Sequence, residues 1–232
     1  MSRHADPRAA AEVLRRTELF RGLDDEALAQ VGAAGRWRTY RRGQYIWYQG
    51  DPGDALLVVG EGRVKVVFGS EGGEEAVLVT AGGGEVLGEI ALLDGGGRSA
   101  SVVAVEPTTG LLLTRATVLE AMGRHPVVLE AMLRNVGGLV RRLTEQAGDL
   151  VFLDLGGRVA KLLLRLAGDR AEATDVVLDT GLSQSELAAM VGATRPAVNR
   201  VLRLFAARGL ISVDGQVIVL RDIAGLQKRA NP

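Results

Sequence analysis

Between Arg36 and Thr114, glycine interrupts the apolar runs before any of them reaches the length of a helix. The runs are Tyr45–Tyr48, Leu56–Val59, Val64–Phe68, Ala76–Thr80, Val86–Leu87, Ser101–Val105 and Leu111–Thr114. Between them lie Gly50-Asp51-Pro52-Gly53, Gly60-Glu61-Gly62, Gly69 to Gly73, Gly82-Gly83-Gly84 and Gly95-Gly96-Gly97. Short strands at regular spacing with glycine-rich turns predict an antiparallel barrel or sandwich.

The period changes on both sides of this zone. Residues 9–34 read as helical, with Leu23, Ala27, Leu28 and Val31 recurring at helical spacing. From about Val127 to Leu150, the residues Leu129, Leu133, Val136, Val140, Leu143, Ala147 and Leu150 alternate spacings of 4 and 3. That narrow heptad seam predicts a helix that pairs with a copy of itself, since a helix packed on its own domain shows a wider stripe. Gly137-Gly138 near its middle each cost about 1 kcal/mol against Ala, and either let two backbones approach or leave a soft point.

Asp154 is placed to cap a helix over Gly156–Ala167, which makes Asp149–Asp154 the expected hinge. The expected division is 1–126, 127–154 and 155–232, an α+β chain. Ser183 and Glu186 form a Ser-x-x-Glu capping box ahead of a short helix. Gly192 ends that helix, Thr194 can cap the next over Arg195–Arg208, and Pro196 sits in its permissive first turn. A hairpin follows, with Leu210–Val213, an Asp214-Gly215 turn and Gln216–Leu220.

These last elements read as a winged helix-turn-helix. Ala188 is small where the two helices cross, while Leu187, Val198 and Val201 face the core. The second helix then offers Arg195, Asn199, Arg200 and Arg203 outward, beside Thr194 and Pro196, with no acid from Arg195 to Arg208. Arg and Asn can pair bidentately with guanine and adenine edges in the major groove of double-stranded DNA. Charge agrees: the net charge of zero hides 11 basic and 7 acidic residues in 155–232, against 17 and 21 before them. A basic face on a module that binds nothing is the alternative. The joint presence of capping box, turn glycine and wing weighs against it.

Composition removes other classes of function. There is no cysteine, so disulfides, thiolate nucleophiles and iron–sulfur clusters are excluded. His4 and His125 are the only histidines, which leaves a His-rich metal site or a Ser-His-Asp triad without support. No residue set suggests catalysis. Met1 to Pro7 lacks a signal peptide's apolar core, and no apolar stretch is long enough to span a bilayer. A cytoplasmic location is expected.

Within the glycine-rich zone, Val86-Leu87-Gly88-Glu89-Ile90-Ala91 followed by Arg98-Ser99-Ala100 is the best candidate site. Gly lets a backbone N–H approach a ligand, Glu can accept from a sugar hydroxyl, and Arg beside Ser suits a phosphate diester. Read alone, the same residues also fit a turn glycine and a surface Glu89–Arg98 ion pair.

The order of barrel, long helix and winged helix-turn-helix resembles the cAMP receptor protein–FNR family of bacterial transcription regulators. The likeness runs from about Leu19 to Leu220, and Phe152-Leu153-Asp154 before Gly157-Arg158-Val159-Ala160 looks like that family's hinge and first DNA-domain helix. The resemblance implies a jelly-roll, cyclic-nucleotide-binding barrel whose cassette runs through Gly88, Glu89, Ile90, Ala91, Arg98, Ser99 and Ala100. Arg98 and Ser99 would hold the cyclic phosphate, Glu89 the ribose 2′-hydroxyl, and Gly88 a backbone contact. It further implies a homodimer controlled by cAMP, a palindromic operator and RNA polymerase as a partner. Oxygen-sensing members need cysteines, and neither histidine stands in an obvious axial position for a haem sensor.

Two departures qualify the resemblance. The hydroxyl pair that reads adenine falls on Leu143-Thr144, so only Thr144 can reach from one subunit into the other's pocket, and cGMP or another nucleotide stays open. On the recognition helix, Pro196 stands where the family has Glu, which removes one base contact. Two rivals therefore stand beside a cAMP-dependent regulator: a regulator of the same fold that ignores cAMP, and a nucleotide-binding regulatory subunit that docks on an enzyme.

Overall fold

Asp24 opens the helix over Asp25–Ala33 because its carboxylate accepts from the Ala27 N–H, satisfying an amide that has no intrahelical partner. The computed structural model describes residues 7–69, 75–168, 175–178, 182–215 and 217–231. Most of the turn predicted over Gly69 to Gly73, and Gln216 of the hairpin, lie outside them. Helices α1 (Pro7–Arg15) and α2 (Asp25–Ala33) come first. Eight strands follow: β1 (Arg36–Tyr40), β2 (Tyr45–Trp47), β3 (Ala55–Glu61), β4 (Arg63–Gly69), β5 (Glu75–Gly82), β6 (Val86–Leu87), β7 (Ser101–Ala104) and β8 (Thr108–Thr114).

These strands form two antiparallel sheets, ordered β1-β8-β3-β6 and β2-β7-β4-β5. That is the jelly-roll order, two sheets face to face. Strand β3 shows why its sequence is apolar without alternation: it is covered on both sides. Leu56 and Val58 join a core with helix residues Leu14, Leu28 and Met132 and with Phe20 of the α1–α2 connection. Leu57 and Val59 pack instead with Trp47, Val64, Ala81 and Val102 of the facing sheet. Three elements escaped the sequence reading here: β1, α3 (Glu89–Asp94) and α4 (Arg115–Arg124). Strand β1 reads Arg-Trp-Arg-Thr-Tyr and is mostly exposed at a sheet edge, so it carries no buried run to detect.

Helix α5 runs unbroken from Pro126 to Phe152. Val128, Ala131 and Met132 bury one side of its first turns, whereas the heptad seam faces outward, with Leu133 64% and Val140 56% exposed. The described residues fall into two compact units that divide between Arg141 and Arg142, inside α5.

The second unit contains α6 (Leu155–Ala167), β9 (Val176–Leu178), α7 (Gln184–Met190), α8 (Arg195–Ala207), β10 (Ile211–Asp214), β11 (Val217–Leu220) and α9 (Ile223–Ala230). Asp154 caps α6 through the Gly157 N–H at 2.8 Å and also binds the guanidinium of Arg229. The wing has a third strand, β9, paired with β11. It and α9 were not anticipated. Val159, Leu163, Leu187, Val198, Leu202, Phe205 and Leu226 share the core. Among the described residues, no helix is long and apolar enough to cross a membrane, and no His, Cys, Asp and Glu group is placed to hold a metal.

Candidate functional site

Gly88 leaves β6 with φ +93 and becomes the N-cap of α3, a conformation that L side chains rarely adopt. A Cβ there would also meet Arg98 Nη1 at 2.4 Å and the Ala55 carbonyl at 3.1 Å. Both backbone and space demand glycine. Arg98 is fixed from the other side by its main chain: its N–H donates to Asp51 O at 2.8 Å, and its carbonyl accepts from Gly50 N at 2.9 Å.

The Arg98 side chain is only 5% exposed, which is unusual for an arginine. Its guanidinium lies over the Trp47 ring, 4.0 Å from the centroid. Nη1 makes one long contact, 3.5 Å, to Gly88 O, and the buried Nε has no hydrogen-bond partner. Burial pushes the Arg98 pKa down, opposed by the nearby carboxylates of Asp54 and Asp51. Trp47, Asp51, Asp54 and Arg98 line a pocket of about 330 Å3. A guanidinium has five N–H donors, and little of this one's capacity is used within the protein. Such donors bind acceptors, and an anion most strongly.

The structure brings Gly88 and Arg98 into contact. Glu89 is buried in the first turn of α3, and Ala91 and Ala100 are buried too. Ile90 and Ser99 are exposed. Thr144 is exposed on α5 and belongs to the second unit. Trp47, Asp51 and Asp54 were missed by the sequence reading. Strand pairing, and not local spacing, carries Trp47 to Arg98, with the indole N–H donating to Ala100 O at 3.1 Å. A larger open groove of about 770 Å3 along Thr39, Arg41, Arg42, Gly43 and Gln44 has only exposed walls and gathers no buried polar group.

The second candidate surface is built on α7 and α8. The capping box forms as expected: Ser183 Oγ accepts from Glu186 N at 3.2 Å, and Glu186 Oε2 accepts from Ser183 N at 2.8 Å. Gly192 turns the chain at φ +63. Ala188 is buried, and its carbonyl accepts from Ala193 N at 3.0 Å, closing the turn. Arg158 donates through Nε to Val191 O, which ties the same turn to α6.

Helix α8 buries Val198, Leu202 and Phe205 and leaves Arg195, Pro196, Arg200 and Arg203 exposed. Two expectations need correction. Thr194 is the N-cap residue, yet its side chain makes no capping hydrogen bond, so its exposed hydroxyl is uncommitted. Asn199 is half-buried, with Oδ1 buried and unpartnered, and so is not fully on the outward face. One residue is 100° of helix, so position 199 falls on the flank of the stripe set by Val198 and Leu202.

Comparison with known proteins bears on both surfaces. Residues 37–125 match the family model described as a cyclic nucleotide-binding domain, and residues 157–229 match the Crp-like helix-turn-helix domain. The chain is 31% identical over 221 residues to a CRP-like cAMP-activated global transcriptional regulator of Mycobacterium tuberculosis, covering 94% of this chain and 99% of that protein. It is 34% identical over 223 residues to the cyclic AMP receptor protein of Thermus thermophilus, covering 94% and 98%. The solved structure of FixK2 from Bradyrhizobium japonicum shares the fold, with a TM-score of 0.76 at 22% identity over 85% of this chain and 98% of that one.

Proposed function

Because the chain belongs to the CRP/FNR family of DNA-binding transcription regulators with a cyclic nucleotide-binding domain, we propose that it is a cAMP-responsive homodimer acting on a palindromic operator. The observation that carries the ligand assignment is Arg98, buried, under-bonded and in contact with the backbone of Gly88. In this reading Arg98 and the exposed Ser99 hydroxyl hold the cyclic phosphate, the Gly88 backbone lies against the ligand, and Glu89 takes the ribose 2′-hydroxyl. Ile90, Ala91 and Ala100 shape the wall. Thr144 offers its hydroxyl to the base from the partner subunit. Leu143 has no hydroxyl to give, which favours testing cGMP beside cAMP.

The exposed seam of α5 is the proposed dimer interface, an apolar stripe that water would otherwise face. Two-fold symmetry then sets two copies of α8 about 34 Å apart, one turn of DNA. Arg195, Arg200 and Arg203 read bases or phosphates, with Asn199 beside them. The free Thr194 hydroxyl at the start of α8 suits a phosphate oxygen. Pro196 can neither donate nor accept through its side chain, so one base pair per half-site goes unread. A cytoplasmic site of action and a contact with RNA polymerase follow from this reading. The Mycobacterium tuberculosis relative is named a transcriptional regulator, and the chain is assigned no catalytic role.

Calorimetric titration of the parent protein and of Arg98→Ala with cAMP and cGMP tests the assignment. Removing a charge-assisted bidentate contact costs several kcal/mol, so binding should fall by a factor of 100 or more while the fold is kept. Unchanged affinity in Arg98→Ala would overturn the pocket assignment. Saturation by cGMP alone would replace the proposed effector.

A further inference from the structure

We propose that Trp47 is a positioning residue for Arg98, its indole face holding the guanidinium in the orientation that receives the ligand's phosphate. The inference rests on the reading of Arg98 as the phosphate-binding group. Three observations carry it. The first is the stack itself, 4.0 Å from guanidinium carbon to ring centroid, in a site where both partners are almost fully buried. Low exposure of both partners strengthens the attraction between the cation and the ring's negative face relative to a surface pair.

The second is the anchoring of the ring. Its N–H donates to Ala100 O at 3.1 Å, and its edge lies against the position where a Gly88 Cβ would be, 3.4 Å away. Trp47 therefore meets the cassette at Arg98 and Ala100, and borders the space beside Gly88.

The third is the division of labour on the guanidinium. The contact with the ring takes no hydrogen bond from the guanidinium, so it leaves the N–H donors available. Those donors are in fact under-used, with one contact at 3.5 Å and an unpartnered Nε. The carboxylates of Asp54 and Asp51 favour Arg98's charge, and neither makes a hydrogen bond or ion pair with its guanidinium; Asp51 Oδ2 accepts from the Tyr48 N–H at 2.8 Å. An arginine held against a ring with its N–H donors little used is pre-ordered for a bidentate anion. Binding then need not include the entropy of fixing a long side chain.

The experiment is an aromatic series at position 47, each variant titrated with cAMP. Trp47→Phe keeps a smaller ring face and should stay within about fivefold of the parent. Trp47→Met fills much of the space with no such face and should weaken binding roughly tenfold or more. Affinity that follows volume and not aromaticity, or that rises in Trp47→Met, overturns the inference. The protein has two tryptophans, so Trp37→Phe leaves Trp47 as the sole indole. In that background Arg98→Ala should alter the intensity or maximum of Trp47 emission. An unchanged spectrum overturns the inference even where a position 47 variant does not fold. The two readings fail separately. Loss of binding in Arg98→Ala with full affinity in Trp47→Met removes Trp47 alone, whereas full affinity in Arg98→Ala removes the phosphate site itself.

Discussion

At the scale of single residues, glycine and aspartate each act through what they allow their neighbours' backbone to do. Gly88→Ala would place a methyl group 2.4 Å from Arg98 Nη1 and force a left-handed residue at φ +93. Arg98 must then move, so the variant should fold with a loss of about 1–2 kcal/mol and bind cAMP at least tenfold more weakly. Full affinity in a titration of Gly88→Ala would show that the Arg98 contact is dispensable. Asp154 acts at the start of α6. The Arg229 guanidinium, then the Gly157 N–H, hold its carboxyl below the usual 3.8. A carboxyl whose pKa is lower folded than unfolded stabilises the fold above the unfolded pKa, and this is lost as pH falls through the folded one. Asp154→Ala should therefore cost about 1 kcal/mol at pH 7, the usual worth of an N-cap. Urea denaturation at pH 7 and pH 3 checks this: the gap between parent and variant should narrow in acid.

At the scale of elements, what the sequence declared depended on whether a pattern was local. The helix α5, the capping box of Ser183 and Glu186 and the turn at Gly192 are all set by neighbours within a few residues, and all three formed as read. The strands between glycines were legible for the same reason. Elements without a buried periodic face were not: β1 has two exposed arginines flanking Trp37, and β9 is a three-residue strand recognisable only by its pairing with β11. The site divides in the same way. Gly88 and Arg98 stood out as a spacing, while Trp47 reaches Arg98 through a sheet, and no spacing predicts that. Helix α5 carries its own prediction. Val140→Glu puts a charge in the middle of the exposed seam and should shift sedimentation toward monomer at micromolar concentration. A dimer that persists would move the interface to another face. On α8, Pro196→Glu restores an acceptor for cytosine N4, so selection from random operators should return a motif narrowed at one base pair per half-site. The same motif from both proteins would mean that position 196 does not face the bases.

At the scale of the molecule, ligand pocket and recognition helix are far apart in sequence, and their coupling is a thermodynamic quantity before it is a structural one. If cAMP raises affinity for the operator by some factor, the operator must raise affinity for cAMP by the same factor. The requirement holds whatever movement connects them. Measured coupling in such systems is commonly 1–3 kcal/mol, a factor of about 5 to 150. Calorimetric titration of cAMP into free protein and into protein saturated with operator should therefore differ by the ratio found when DNA binding is measured with and without cAMP. Arg98→Ala separates the two sites. It should bind operator with the parent's unliganded affinity and lose the response to cAMP, because Arg195 and Arg200 remain intact. Arg200→Ala should do the converse, keeping cAMP affinity in the absence of DNA while losing about 1–3 kcal/mol per half-site. If operator affinity drops in Arg98→Ala even without nucleotide, the buried guanidinium supports the DNA-binding state by itself. Ligand control would then not be its role.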